Sequence, residues 1–467
     1  MECEKGMVIN MRNMSLQNIA KAVGGRLCNA QEKADCEVCG VVLDSRKVEK
    51  DFLFIATKGE RVDGHDFIDS VFEKGALAVI CEKEPQNPKG AYILVQDSFQ
   101  ALKDVATFYR EQLQIKVVGI TGSVGKTSTK EFIANVLATR FQVLKTEGNF
   151  NNEVGLPLTV LRIRDHVEVA VLEMGISDFG EMHRLSSIAK PDICVITNIG
   201  QCHLENLKTR DGILKAKSEI FDFMQSDGAI CLNGDDDKLA TLVEVKGKKP
   251  HFFGRSADKE IYETDYQNKG LSGSDITIHR EGRSFTVHIP LPGEHMVYNA
   301  LAATAVGTVM GLTDQEIKSG IEAVQPVGGR SHIMQEDNVT IIDDCYNANP
   351  VSMKAAIDLL AMANTRKVAI LGDMFELGVN EKQMHEEVGA YAAYKKIDSI
   401  ICVGNLSRHM YEGVNEADHE ASCFYYFETK EALIEHLGEL IQKGDTILVK
   451  ASHGMHFEEL ITMLPTI

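Results

Sequence analysis

Two features of the 467-residue sequence predict an α/β protein of three domains. Short β-branched runs alternate with helix-period segments along the chain, and a glycine-rich stretch at 121–127 sits between one such run and one such segment. The chain is also too long for one ordinary core. Residues 1–97 read as a small N-terminal α/β domain, 98–324 as a central P-loop domain with a mostly parallel sheet, and 325–467 as a C-terminal Rossmann-like domain.

In the first segment, strand-like runs at 52–56 and 76–81 alternate with short helical patterns at 16–23 and 66–73. A helical stretch at 98–113 leads into the β-branched run 115–120, where the nucleotide-binding core begins. Runs at 167–173, 193–197 and 229–233, separated by helical periodicity, carry the rhythm of βαβ units. Two alternating runs around Arg280-Glu281-Gly282-Arg283 break it and predict a β-hairpin within 274–289. A helix at 297–310 closes the region. After Pro326 and Gly328-Gly329 a second alternation starts, with strands at 339–343, 367–371, 399–403 and 446–449.

Forty-nine basic against 68 acidic residues leave a net charge of −19, which repels nucleic acid and anionic membrane surfaces. The first residues mix Glu2, Glu4, Lys5 and Arg12 among apolar ones, so a secretory leader is not expected, nor is a membrane span. The 11 cysteines are scattered, as suits reduced thiols in a cytoplasmic protein. Cys36 and Cys39 have C-x-x-C spacing, but no second pair completes a zinc site, and 37–43 reads as a strand entering a core.

Chemistry concentrates first in Thr121-Gly122-Ser123-Val124-Gly125-Lys126-Thr127. Its glycines admit phosphate oxygens to backbone N–H groups, the following helix adds positive potential, Lys126 reaches the outer phosphates, and the Thr127 hydroxyl suits Mg²⁺. Ile120 replaces the first glycine of the usual pattern, so the loop is a variant. Glu173 ends one predicted strand and His203 follows another, which brings both to the carboxyl edge of the sheet, beside Thr127.

These motifs, in order and spacing, resemble the Mur ligase family. The resemblance runs through 121–127, Asn149-Phe150-Asn151-Asn152-Glu153-Val154-Gly155-Leu156-Pro157, Glu173-Met174-Gly175 and 197–203. It continues in Gly293-Glu294-His295, Asn299-Ala300-Leu301-Ala302-Ala303, Gly329-Arg330 and Asp343-Asp344-Cys345-Tyr346-Asn347-Ala348-Asn349-Pro350, which are similar to the branch that adds D-alanyl-D-alanine. It implies an ATP-dependent enzyme that joins the dipeptide to the terminal carboxylate of a UDP-N-acetylmuramoyl-tripeptide through an acyl phosphate, in the cytoplasm and as a monomer.

By that resemblance Gly122, Ser123, Gly125, Lys126, Thr127 and Ser128 cradle the ATP phosphates. Thr127, Glu173, His203 and Lys217 hold two Mg²⁺ ions, Lys217 as a carbamate. Lys126, Lys217, His203 and Arg330 carry the catalysis. His295 and Asn299 meet the adenine, while Arg330 and Asp344 reach ATP from the third domain. Ser45, Arg46, Gly59, Asp63 and His65 contact the UDP sugar, Asn151 and Asn152 the muramoyl peptide, and Asn347 and Asn349 the incoming dipeptide. His453 stands where some relatives carry an arginine. Two rivals share parts of the pattern: a folylpolyglutamate synthase-like ligase and a nucleotide-binding protein without ligation. Tyr346-Asn347-Ala348-Asn349-Pro350 and the extra N-terminal segment speak against the first, the full set of predicted phosphate and metal residues against the second.

Overall fold

A computed structural model describes residues 11–59, 62–326, 328–329, 332–417 and 423–466. Three sheets organise the chain, one in each of its three domains. The first contains β1 (Arg26–Cys28), β2 (Gly40–Val42), β3 (Phe52–Ile55), β4 (Ala78–Cys81) and β5 (Ala91–Leu94), in the order β1-β5-β4-β3-β2. Only the β1–β5 pair is antiparallel. The strand expected over 37–43 is confined to β2, with Cys39 buried and Cys36 exposed.

The helix Ser98–Gln112 joins the first sheet to the second. Asp97 caps it by accepting from the Gln100 N–H at 2.9 Å. Ala101, Leu102, Val105, Ala106 and Tyr109 recur at helical spacing and are buried. The Tyr109 hydroxyl donates to the Ile163 carbonyl at 2.6 Å, and Arg110 Nε to the Ala189 carbonyl at 2.8 Å. The helix packs on Leu16–Ala22 of the first domain and on Gly155–Val160 and Glu181–Ala189 of the second. A single apolar core therefore runs from Met11 to Leu239 through both domains.

The central sheet has nine strands: β6 (Lys116–Thr121), β7 (Val143–Lys145), β8 (Val169–Glu173), β9 (Ile193–Ile196), β10 (Ala229–Asn233), β11 (His251–Gly254), β12 (Ile261–Asn268), β13 (Ser274–Arg280) and β14 (Arg283–Ile289). Their order is β14-β13-β12-β11-β10-β9-β6-β8-β7. From β7 to β12 all pairs are parallel, and β12, β13 and β14 add an antiparallel flank. The hairpin predicted at 280–283 is present: Arg280 pairs with Arg283, and both turn residues, Glu281 and Gly282, have positive φ, as a two-residue turn demands. Because β6 lies between β8 and β9, the strand order reverses there, which opens a crevice at its carboxyl end.

The third sheet holds β15 (His332–Gln335), β16 (Thr340–Asp343), β17 (Lys367–Gly372), β18 (Ser399–Val403), β19 (Cys423–Phe427) and β20 (Thr446–Lys450), in the order β15-β16-β20-β17-β18-β19. It is parallel except for β15, and two apolar clusters cover its faces. Leu204 and Leu271 of the central domain lie against one of those clusters. No helix among the described residues is long and apolar enough to cross a membrane.

Candidate active site

The loop after β6 is shaped by two glycines. At Gly122, φ is +154° and an added Cβ would stand 1.9 Å from Thr197 Oγ1; at Gly125, φ is +80°. Neither geometry suits a side chain. The helix Lys126–Ala138 starts directly after, so its free N–H groups point into the loop. Asn198 braces this loop from the end of the β9 strand. Its Oδ1 accepts from the Val124 N–H at 3.0 Å, its Nδ2 donates to the Val124 carbonyl at 3.0 Å, and its own carbonyl accepts from the Ser123 N–H at 3.1 Å. The Ser123 hydroxyl in turn accepts from the Gly200 N–H at 2.9 Å.

Lys126 Nζ donates to the Gly122 carbonyl at 2.9 Å, folded back over the loop it would open to reach a phosphate. The buried Thr127 hydroxyl donates to Glu173 Oε2 at 2.8 Å, and Asn151 Nδ2 donates to Glu173 Oε1 at 2.8 Å. Both carboxylate oxygens are thus aimed between the P-loop helix and the 149–155 segment. Asn152 does a different job here, its Oδ1 accepting from the N–H groups of Val154 and Gly155 at 3.2 and 2.9 Å to start the helix Gly155–Val160.

His203 begins the short helix Leu204–Leu207 in a left-handed conformation, φ +49°. Its Nδ1 lies 3.0 Å from Glu376 Oε2 of the third domain. Burial lowers its pKa, the Glu376 carboxylate opposes that, and the positive charges of Lys217 and Lys126 add to it. Lys217, on the helix Arg210–Ser218, is 1% exposed. Burial, then the nearby Lys126 charge, depress its pKa to about 7. Its ammonium group has no hydrogen bond or ion pair with any described residue, an unusual state for a buried lysine. Lys217 is not among the residues that line the cavity the other groups share.

Lys126, Thr127, Glu173 and His203 border a cavity of about 1090 Å³ between the central and third domains. Ser123 to Thr129, Asn151, Asn152, Glu173, His203, His295 and Asn299 line it from the central domain. Gly329, Asp344, Tyr346, Asn347, Asn349 and Lys450 face them. Asn299 is buried, its Oδ1 accepting from the Thr129 hydroxyl at 2.8 Å, which ties the helix Met296–Val309 to the P-loop helix. Opposite, Lys450 at the end of β20 is 2% exposed; its Nζ donates to Asp344 Oδ2 at 2.5 Å and to the Asn347 carbonyl at 3.0 Å. Asn349 caps the helix Pro350–Ala361 through a reciprocal pair with Ser352.

The remaining expected residues are elsewhere. Arg330 lies outside the described residues. Ser45, Arg46, Gly59, Asp63 and His65 are on the first domain and do not border the cavity. Arg46 pairs with Asp44, which holds that carboxylate down at about 2, and its side chain is largely exposed. His65 is internally satisfied: Nδ1 is 2.6 Å from Asp63 Oδ1, and Nε2 accepts from the Glu82 N–H at 3.0 Å. Sequence reasoning assigned no role to Asn198, Lys450 or Glu376. For Asn198 and Lys450, a position at or just past a strand end on the crevice side was the available signal; Glu376, in the loop after β17, offered none.

Comparison with known proteins gives a consistent result along the chain. Residues 37–120 match the family model "Mur ligase family, catalytic domain", 120–307 the "Mur ligase middle domain", and 329–453 the "Mur ligase, glutamate ligase domain". The UDP-N-acetylmuramoyl-tripeptide–D-alanyl-D-alanine ligase of Bacillus subtilis is 40% identical over 97% of this chain and 98% of its own length. The enzyme of the same name from Escherichia coli is 34% identical over 97% and 99%. Among solved structures, MurF from Acinetobacter baumannii superimposes with a TM-score of 0.89 at 32% identity, covering 98% of this chain and all of that one. The Thermotoga maritima MurF ligase in complex with ADP gives 0.80 at 30% identity, over 91% and 97%. With near-complete coverage in sequence and fold alike, the chain belongs to the Mur ligase family.

Proposed function

We propose that this chain is an ATP-dependent ligase that joins D-alanyl-D-alanine to the terminal carboxylate of a UDP-N-acetylmuramoyl-tripeptide, the substrates named for its relatives. The observation that carries this reading is the convergence on one interdomain cavity of the P-loop, Glu173 and His203 from one domain and Asp344 and Asn347 from another.

The Thr127 hydroxyl and the Glu173 carboxylate, 2.8 Å apart, are hard oxygen donors that fit Mg²⁺, and the His203 imidazole on the same cavity would add a borderline nitrogen donor. When bound, Mg²⁺ supplies charge neutralisation across the phosphate oxygens. Backbone N–H groups of 122–128 hold the phosphates of ATP, and Lys126 swings from the Gly122 carbonyl to the outer ones. The substrate carboxylate attacks the γ-phosphorus, ADP leaves, and the resulting acyl phosphate is attacked by the dipeptide amine through a tetrahedral intermediate that expels phosphate. Lys217, as a carbamate, contributes an anion where its ammonium group would repel a cation. Asn151, Asn152, Asn347 and Asn349 position the peptide reactants, and His295, Asn299, Arg330 and Asp344 the nucleotide. Residues 1–97, through Ser45, Arg46, Gly59, Asp63 and His65, hold the UDP sugar. The enzyme acts as a monomer in the cytoplasm, where ATP and the precursor are both available.

Phosphate release measured with lysine- and diaminopimelate-containing UDP-muramoyl tripeptides, each with and without D-alanyl-D-alanine, tests this. Release that requires both substrates, with mass-spectrometric detection of the pentapeptide, is expected. Equal release without either substrate refutes it.

A further inference from the structure

We propose that Lys130 and Thr146 are positioning residues for Glu173, closing a ring of hydrogen bonds that fixes how far its carboxylate stands from Thr127. The inference rests on the reading of Thr127 and Glu173 as Mg²⁺ donors. Thr146 follows β7, and Lys130 lies one turn along the P-loop helix from Thr127, at the i, i+3 spacing that puts both on one face. Lys130, Thr146 and Glu173 are all buried, and neither Lys130 nor Thr146 lines the cavity.

The ring closes atom by atom. The Thr127 hydroxyl donates to Glu173 Oε2 at 2.8 Å. The Glu173 N–H donates to the Thr146 hydroxyl at 2.9 Å. The Thr146 carbonyl accepts from Lys130 Nζ at 2.8 Å, and one helical turn leads from Lys130 back to Thr127. The register between β7 and β8 ends with Lys145 opposite Val171, so Thr146 Oγ1 takes the Glu173 N–H where the strand pairing stops. Thr146 is itself anchored by its own N–H, which donates to the Val171 carbonyl at 3.0 Å.

The Lys130 ammonium also stands 3.2 Å from Glu131 Oε1, and Lys145 pairs with the other oxygen of that carboxylate. A buried ammonium is costly to desolvate, and an apolar side chain of similar length fills such a space without that cost. What the lysine adds is a donor aimed at one carbonyl, on the residue that holds Glu173. The four links of the ring are not equivalent. The Thr127–Glu173 bond joins the two groups a cation would occupy, so it is the link that changes when metal binds. The bonds through Thr146 and Lys130 lie off the cavity and persist. They set the spacing of the two oxygen donors before an ion arrives, and loss of such outer partners typically costs about tenfold to a hundredfold in metal affinity.

The test titrates Mn²⁺, a paramagnetic stand-in for Mg²⁺, into the full-length protein and follows its ADP-dependent uptake through the free-ion EPR signal. Thr146→Val keeps the shape and removes the acceptor; Lys130→Met keeps the length and removes the donor. Each should weaken Mn²⁺ binding about tenfold or more, whereas Thr146→Ser, which retains the hydroxyl, should recover most of the affinity. Lys145→Met loses a Glu131 contact but leaves the ring intact, and should bind as wild type. In ligation assays Thr146→Val and Lys130→Met should raise the Mg²⁺ concentration for half-maximal rate by a similar factor, with KM for the UDP-tripeptide little changed. Thermal melts identify which variants are folded, and Thr146→Val carries the test if Lys130→Met is not. Wild-type Mn²⁺ affinity in either folded variant, or a loss shared equally by Thr146→Ser and Lys145→Met, overturns the proposal. Failure of the underlying metal reading shows in wild type itself, as no ADP-dependent Mn²⁺ uptake, while failure of this proposal shows only in the variants.

Discussion

Replacing Lys217 probes the most unusual ionisable group in the protein. Its side chain is buried without a hydrogen-bond or ion-pair partner among the described residues, and its pKa is depressed from 10.5 to about 7. At pH 7 roughly half of such a lysine is the neutral amine, against about one in three thousand for an ordinary one. That thousandfold gain is what carbamate formation needs, because the amine lone pair attacks CO₂, a C–N bond forms and a proton is released. The same shift carries a stability cost. Between about pH 7 and the ordinary lysine range the unfolded chain binds the proton and the folded one does not, so stability rises with pH across that window. Below it the full penalty applies, on the order of 5 kcal/mol. In CO₂-free buffer Lys217→Met should therefore melt higher than wild type at pH 7, with the gap closing toward pH 10. Lys217→Ala should lose about a hundredfold or more in ligation and recover part of it with added formate or acetate. Lys215→Ala, an exposed neighbour over the Phe179 ring, should behave as wild type. In ¹³C-bicarbonate, wild type should give a carbamate signal that Lys217→Ala lacks. Full activity of Lys217→Ala without CO₂ or added acid, or no carbamate signal in wild type, refutes the reasoning.

Lys126→Ala should leave the melting temperature nearly unchanged while lowering turnover by about a hundredfold to a thousandfold, since Lys126 Nζ holds one carbonyl that water can take over; near-wild-type turnover would contradict this. Asn198→Ala removes two hydrogen bonds from Val124 and should cost about 1–3 kcal/mol in denaturant unfolding, with a several-fold rise in KM for ATP. Lys450→Met removes the buried ammonium that bonds Asp344 and should destabilise the third domain by about 1–3 kcal/mol; adding Asp344→Asn should return part of that, and an additive double mutant would argue against the pair.

What the sequence disclosed depended on distance along the chain. The P-loop was legible because its strand, glycines, lysine and helix are consecutive, and the hairpin because Glu281 and Gly282 sit between two alternating runs. The strands β7, with three half-buried residues, and β19, partly exposed, have no periodicity strong enough to separate them from loop. The long-range pairings that finish the site were invisible: Asn198 meets Val124 across 74 residues and Lys450 meets Asp344 across 106. Short polar motifs are ambiguous for the opposite reason. Asp63 and His65 suggested a ligand, yet two residues apart they also make a local turn that satisfies each other. Asn349 likewise serves as a helix cap, whatever else it contacts.

The apolar core shared by the first two domains also bears on how the protein is made. Among the described residues, the clusters that stabilise residues 11–324 draw no member from beyond Val324, whereas the third domain seats Leu204 and Leu271 against its own. A growing chain can thus close its P-loop, with Asn198 already bracing Val124, while the third domain is still being synthesised. At ordinary ribosomal speeds that interval is on the order of ten to thirty seconds. During it, a nascent protein with a formed phosphate loop has no third-domain wall and no Glu376 beside His203, so the cavity is completed only after the third domain has emerged.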